Sequence, residues 1–167
     1  MTNPLNDEIR KLDTGADSDR ASDPVAARKK AMDLLARREH AASELVAKLE
    51  RAGFLTETAM AAIAALASEG LQSDERFVES FVQSRVNQGK GPQRIRADLR
   101  QRGVADTAIA HALEAAEPDW YALTRAARER KFGPALPTEY KEKARQMRFL
   151  QYRGFESDQI QAAFGDR

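Results

Sequence analysis

The sequence predicts an all-α protein built from three tandem three-helix modules, and three observations lead to this fold class. Apolar residues recur at steps of three and four along most of the chain, as at Leu45 and Leu49, which is the spacing of an amphipathic helix. No segment alternates apolar and polar residues as a half-buried strand would. Gly53, Gly103 and Gly154 lie 50 and 51 residues apart in similar surroundings, which indicates an internal repeat.

The surroundings of these glycines predict the local structure of each repeat. A leucine stands four residues before each glycine, at Leu49, Leu99 and Leu150. A residue of a helix-capping type stands three residues after it, at Thr56, Asp106 and Ser157. A glycine ends a helix in the left-handed conformation at little cost, and the side-chain oxygen of a cap accepts a free amide of the next helix. Each repeat is therefore expected to be a helix, a tight turn and a second helix.

A further helix is expected before each pair, which completes the three modules. Residues 1–23 are rich in acidic and small polar side chains without a regular period, and they are expected to form a disordered acidic tail. Asp23 and Pro24 then suit the N-cap and the first position of a helix. The first helices of the modules are expected at about 24–38, 74–88 and 119–132. The modules themselves are expected at 24–72, 73–118 and 119–167, stacked through shared cores into an elongated array that can curve.

Composition excludes several classes of function. The chain of 167 residues contains no cysteine, so disulfides, thiolate metal sites and a cysteine nucleophile are excluded. It has no apolar run of the roughly twenty residues that span a bilayer and no secretory signal pattern, so we expect a cytoplasmic protein. His40 and His111 have no second metal ligand at a suitable spacing, and Gly89-Lys90-Gly91 lacks the phosphate-loop pattern. We therefore expect neither an enzyme nor a protein that holds a metal or a cofactor.

The net charge of +1 conceals an uneven distribution of charge. Residues 85–103 contain six basic side chains and a single acid, Asp98, and residues 125–153 contain nine basic side chains and three acids. Such blocks can give a nearly neutral protein a surface that faces a polyanion. The alternative is that they form solvated helix faces.

Three segments resemble the bacterial RecX regulatory proteins in their order and spacing. Residues 35–40 (LARREH) resemble the first module of that family, residues 89–95 (GKGPQRI) its central segment and residues 148–155 (RFLQYRGF) its third module. The resemblance covers about residues 25–165. One departure is Ala41, where the family usually has a serine that opens a capping box closed by Glu44. The missing hydroxyl should weaken that cap by about 1 kcal/mol unless Ser43 begins the helix instead.

The resemblance implies a modulator of the RecA recombinase that acts in DNA repair and the SOS response. Members of the family bind the RecA filament on single-stranded DNA along its helical groove. They inhibit ATP hydrolysis, strand exchange and coprotease stimulation by RecA. The partners expected from the resemblance are the RecA filament and DNA, either single- or double-stranded, and the protein itself is expected to be a monomer.

Two basic helices supply the candidate contact residues. On the second helix of the central module, 92–102, the candidates are Arg94, Arg96, Arg100 and Arg102. On the corresponding helix of the third module they are Lys141, Lys143, Arg145, Arg148 and Arg153. Aromatic residues are interleaved among the second set and could stack on bases. The alternatives are internal pairing of the arginines with acidic neighbours such as Asp98, and a core position for Phe149.

Two other functions remain open from the sequence alone. Helix–turn–helix pairs with basic second helices also dock on DNA, so a general nucleic-acid-binding helical protein is the first alternative. A scaffold that docks on some other protein is the second.

Overall fold

The computed structural model describes residue 15 and residues 17–165, and every regular element in this part of the chain is a helix. The helices are α1 (Pro24–Leu35), α2 (Ala42–Arg51), α3 (Thr56–Ser68), α4 (Asp74–Asn87), α5 (Pro92–Gln101), α6 (Asp106–Ala116), α7 (Trp120–Phe132), α8 (Tyr140–Arg153) and α9 (Ser157–Ala162). They form three successive three-helix modules, which confirms the predicted fold class.

Most of the predicted tail, residues 1–23, lies outside the described residues. Residues 17–21, near its end, are helical, and the amide of Leu55 donates a hydrogen bond of 2.9 Å to the carbonyl of Ala21. Asp23 caps α1 as predicted, because its carboxylate accepts the amides of Val25 and Ala26 at 2.9 and 3.2 Å.

The three glycine corners adopt the same backbone structure. Gly53, Gly103 and Gly154 have φ values of +96°, +77° and +95°. After each glycine, the next amide donates to the carbonyl of the leucine five residues before it. These bonds are Phe54 to Leu49 at 3.1 Å, Val104 to Leu99 at 3.1 Å and Phe155 to Leu150 at 3.2 Å. The repeat seen in the sequence is therefore a repeat of structure.

The predicted roles of Thr56, Asp106 and Ser157 as N-caps are wrong. Each is the first residue of its helix, and the N-cap is the residue before it. Two of them bond back to the preceding helix instead: Thr56 Oγ1 lies 2.6 Å from Glu50 Oε1, and Asp106 Oδ1 accepts from Arg100 Nε at 2.6 Å. The helices start one residue earlier than the cap pattern implies, and the side chains of Thr56 and Asp106 connect the two helices of their corners.

The chain divides into two compact units, one ending at Phe77 and the other beginning at Val78, so the division falls inside α4. The core of the first unit is built from buried residues of α1, α2 and α3 with Phe54, among them Leu45, Leu49 and Leu66. The second unit contains the second and third modules. In the second module Val82, Ile95 and Leu99 are fully buried. In the third, Leu150, Phe155 and Ile160 form the centre of the core.

Candidate partner-contact surface

Three of the four candidate arginines of the second module lie on α5 and pair with carboxylates of the second unit, and the fourth follows the end of this helix. The pairs are Arg94 Nε with Asp98 Oδ1 at 3.2 Å, Arg96 Nη1 with Glu156 Oε1 at 2.9 Å and Arg100 Nε with Asp106 Oδ1 at 2.6 Å. The fourth, Arg102, donates to the carbonyl of Asp98 at 3.1 Å and lies over the ring of Phe81 at 4.9 Å. Internal pairing was one of the two alternatives from the sequence, and a partner at α5 has to compete with it.

The first turn of α5 also contacts the corner between α8 and α9 through the backbone. The amide of Gly91 donates to the carbonyl of Arg153 at 2.8 Å, and that of Gln93 donates to the carbonyl of Gly154 at 3.0 Å. A Cβ atom on Gly91 would lie 2.3 Å from the carbonyl carbon of Gly154. Only glycine permits this approach. Helix α5 therefore joins the second module to the third.

The candidates on α8 are arranged differently, because three of them lie on one exposed stripe. Lys141, Arg145, Arg148 and Tyr152 are spaced at i, i+4, i+7 and i+11 and are all exposed, so they share one helix face. We call these four residues the α8 stripe. Eleven helical steps extend it over about 16 Å. Tyr152 is 78% exposed, as is Tyr140, which begins α8, at 88%.

The charges of the α8 stripe are only partly neutralised. Arg145 makes a two-pronged contact with Glu142, with Nε and Nη2 each 2.9 Å from a carboxylate oxygen. The hydrogen bonding from Arg145 is the main cause that lowers the pKa of Glu142 below its ordinary value, and a hydrogen bond from Gln146 is the second. Among the described residues no carboxylate lies within 4 Å of Lys141 or Arg148. Two cations of the stripe are thus available to an anionic partner.

The opposite face of α8 belongs to the core of the third module. Gln146 and Leu150 are buried, and the ring of Phe149 meets that of Phe132 edge to face at 5.2 Å. Phe149 is partly buried and packs against the edge of this core, close to the core position that was one alternative from the sequence. The remaining candidates lie off the α8 stripe: Lys143 contacts the ring of Phe164 at 5.7 Å, and Arg153 lies over Phe149 at 5.5 Å.

A buried arginine that the sequence did not single out fixes the start of α8. Arg128 is 1% exposed, and its guanidinium donates to the carbonyls of Pro134 at 3.2 Å and Ala135 at 3.1 Å. These carbonyls belong to the loop between α7 and α8. Five donors on a planar group can hold several carbonyls at once, so Arg128 positions this loop and the stripe that follows it.

A second feature absent from the sequence prediction is a basic cavity in the second unit. The cavity has a volume of about 300 Å³. Its lining, which we call the basic notch, consists of Gly89, Ala127, Arg130, Lys131, Phe149 and Arg153. Arg130 and Lys131 come from the last turn of α7, and Gly89 comes from the turn after α4. The signal that could have indicated these two cations was the basic block 125–153 itself.

Among the described residues no helix is long and apolar enough to cross a membrane. In the same part of the chain no three histidine or acidic side chains form a group that could hold a metal ion.

Comparison with family models finds three consecutive matches. The models described as the first, second and third three-helix domains of RecX match residues 27–66, 73–113 and 117–164.

Comparison with curated proteins finds relatives of nearly the same length. A protein named Regulatory protein RecX from Halorhodospira halophila is 52% identical over 138 residues, which cover 83% of this chain and 86% of the relative. One of the same name from Ectopseudomonas mendocina is 47% identical over 137 residues, which cover 82% and 91%.

Two solved structures share the fold. A crystal structure titled as regulatory protein RecX superposes with a TM-score of 0.71 at 23% identity, covering 95% of this chain and 77% of the other. The crystal structure of RecX from Lactobacillus salivarius superposes with a TM-score of 0.69 at 19% identity, covering 85% and 94%. At these identities the likeness shows the arrangement of helices.

Proposed function

The chain belongs to the RecX family of regulatory proteins, and from this membership we propose that it binds the RecA filament on single-stranded DNA. By binding, it inhibits ATP hydrolysis, strand exchange and coprotease stimulation by RecA, and so regulates recombination, DNA repair and the SOS response. It acts as a monomer in the cytoplasm and carries out no chemistry of its own. DNA, single- or double-stranded, is the second component of its binding surface.

The observation that carries the proposal, besides membership, is the α8 stripe. A filament on single-stranded DNA offers phosphates and acidic protein side chains, and Lys141 and Arg148 face outward without a carboxylate partner among the described residues. A partner that binds these cations has no internal ion pair to break, although it must order their long side chains, which costs about 0.5–1.5 kcal/mol each.

Three modules on one chain also support binding to a repeating target. Once one module is bound, the next module is held near the neighbouring protomer at a high effective concentration. Modest contacts at each module then add up to a stable complex. This is how a chain of 167 residues can inhibit a much larger assembly.

The direct test is to titrate the protein into RecA that hydrolyses ATP on single-stranded DNA. We expect the hydrolysis rate to fall and reach a plateau as the protein saturates the filament. Unchanged hydrolysis at saturating protein would overturn the proposal.

A general nucleic-acid-binding protein is the second candidate, because both the α8 stripe and the basic notch are positively charged. The two functions are separated by an unrelated ATPase that also depends on single-stranded DNA. A general binder would mask the DNA and inhibit both enzymes, with a steep, log-linear loss of inhibition as salt rises. A RecA regulator inhibits only RecA at the same protein and salt concentrations.

A further inference from the structure

The basic notch brings three cations from separate parts of the second unit to the wall of one cavity. Arg130 and Lys131 approach from α7, and Arg153 approaches from the end of α8. In the part of the chain that the structure describes, no carboxylate lies within 4 Å of any of the three. Like charges gathered without a counter-ion raise each other's energy, so this arrangement is stabilised by an anion.

The guanidinium of Arg153 is held in the wall of the notch by its surroundings. Its Nε is buried and has no hydrogen-bond partner, and its guanidinium carbon lies 5.5 Å from the ring centre of Phe149. The buried Nε is out of reach of a ligand in the cavity, so the outer guanidinium nitrogens of Arg153 are the donors available to an acceptor there. The aromatic ring holds the guanidinium in place on one side.

Stabilisation of the C-terminal end of α7 can explain Arg130 and Lys131, but it does not explain Arg153. Arg130 and Lys131 lie in the last turn of α7, where positive charge favours the negative end of the helix dipole. That role requires neither the cavity nor Arg153, which comes from another helix. The convergence of the three charges is therefore an observation beyond helix capping.

We propose that the basic notch binds a phosphodiester group of single-stranded DNA. The inference rests on the proposed function in one respect, since DNA contact is a component of it. Guanidinium groups bind phosphate through two parallel hydrogen bonds, and the negative charge of the phosphate offsets part of the repulsion among the three cations.

The surroundings of the notch favour a nucleic acid over an acidic peptide. Phe149 is part of the lining, so a nucleotide whose phosphate occupies the notch has an aromatic ring beside it. Proteins that bind single strands combine a basic groove with exposed aromatic rings on which bases stack. A carboxylate partner would use the cations of the notch but not the ring of Phe149.

The test measures binding to a fluorescent oligothymidine in the absence of RecA, by anisotropy at several salt concentrations. In the variant Arg130→Ala/Lys131→Ala we expect the affinity to fall about tenfold, since two charge-assisted contacts are lost. The slope of log affinity against log salt should fall by at most about 0.7, because the notch binds one phosphate and each neutralised phosphate of a single strand contributes about 0.7. The matched control is Lys29→Ala/Lys30→Ala, which removes the same charge from exposed positions of α1 in the first unit and should leave the slope unchanged.

Three results would overturn the proposal: no oligothymidine binding by the wild-type protein, an unchanged affinity in the notch variant, or an equal loss in the control. A notch variant that loses affinity for RecA but not for oligothymidine would assign the notch to acidic side chains of the protein partner, which also overturns it. Circular dichroism checks folding, and Arg130→Gln/Lys131→Gln replaces the alanine variant if helicity is lost. Since RecA is absent here, failure of this test leaves inhibition of ATP hydrolysis by the wild-type protein as a separate outcome.

Discussion

The amide of Gly91 donates a hydrogen bond of 2.8 Å to the carbonyl of Arg153, and this contact joins the first turn of α5 to the corner between α8 and α9. The same corner is bound by a side-chain pair, in which Arg96 Nη1 lies 2.9 Å from Glu156 Oε1. The second and third modules are therefore fastened by backbone atoms as well as side chains. The face of α5 that makes these contacts serves the protein's own structure.

Replacing Gly91 with alanine should loosen this junction. The φ value of Gly91 is −83°, which alanine adopts freely, so the effect arises only from the 2.3 Å approach of the new Cβ to the Gly154 backbone. We expect the free energy of unfolding to fall by about 1–3 kcal/mol, as for other insertions into packed sites. Urea denaturation measures it. The exposed neighbour Gln93→Ala should change stability by less than about 0.5 kcal/mol, and equal effects at the two positions would contradict the account.

Asp74 supplies the cap that Ala41 lacks. Ala41 is the N-cap of α2 and makes no side-chain cap bond, but the amide of Ala42 donates to Asp74 Oδ1 at 2.8 Å. Asp74→Ala should therefore lower the free energy of unfolding by about 1 kcal/mol. Glu75→Ala is the matched control, because it removes the same charge from the same first turn of α4. If both variants lose equal stability in urea, the effect belongs to the helix dipole and not to the cap.

Arg128 should be the most sensitive of the basic positions on α7. In Arg128→Met the carbonyls of Pro134 and Ala135 lose their donor, and unfolding should require about 2–4 kcal/mol less free energy. Arg125→Met, on an exposed face of the same helix, should stay within about 0.5 kcal/mol of the wild type. Thermal and urea unfolding measure both. A tolerated Arg128→Met would mean that the loop is held by other contacts.

The corners of the modules could be predicted because their cause is local. Each corner depends on a glycine with positive φ and on a hydrogen bond from the amide after this glycine to the carbonyl of a leucine five residues earlier. All these residues are close in the sequence, and the three copies form the same hydrogen bond. The N-caps at Thr56 and Asp106 were predicted from the same local pattern and were wrong, because their side chains bond to the preceding helix. A short polar side chain has several partners within reach, and the packing of the corner decides between them.

The candidate surface was predictable only where helix periodicity determines it. The α8 stripe follows from the spacing of Lys141, Arg145 and Arg148 on one helix. Pairing of Arg96 with Glu156 joins positions 60 residues apart, and no spacing rule connects them. The basic notch escaped prediction for the same reason, because α7, α8 and the turn at Gly89 meet only in the folded unit.

The first unit should become less stable in mild acid because of His40. The pKa of His40 is lower than its ordinary value of 6.5, mainly because the side chain is buried and next because of the positive charge of Arg38. The negative charge of Glu44, whose Oε2 lies 3.3 Å from Nδ1 of His40, raises this pKa but does not outweigh the other two effects. Below 6.5 the unfolded chain therefore takes up a proton that the folded chain resists, and stability falls as the pH falls. Glu44 acts in the same direction at lower pH. Burial opposes its ionisation, but the hydrogen bond and charge of Arg38 outweigh burial and lower its pKa below 4.5.

Urea midpoints between about pH 7.5 and about pH 5.5 measure this effect. The midpoint of the wild-type protein should fall over this range, and that of His40→Gln should fall less, whatever its stability at the higher pH. His111→Gln, at an exposed position of α6, is the control. If the midpoint of His40→Gln falls with pH as much as that of the wild-type protein, the acid sensitivity belongs to other groups.

Charge reversal on the two basic helices should separate a binding surface from a structural one. Lys141→Glu/Arg148→Glu changes exposed cations without a carboxylate partner in the described chain, so stability should hardly change. Inhibition of RecA should require at least about ten times more protein, because like charges now face the filament. The midpoint of inhibition measures this.

Arg96→Glu/Arg100→Glu is the comparison, because it places glutamates opposite Glu156 and Asp106. Two ion pairs become repulsive contacts, and the free energy of unfolding should fall by about 1 kcal/mol or more. If this variant binds RecA more weakly, we expect the cause to be its lower stability and not the loss of a direct contact. If this variant instead keeps its stability and loses inhibition, while the α8 variant inhibits normally, then α5 faces the filament and its internal pairs open on binding.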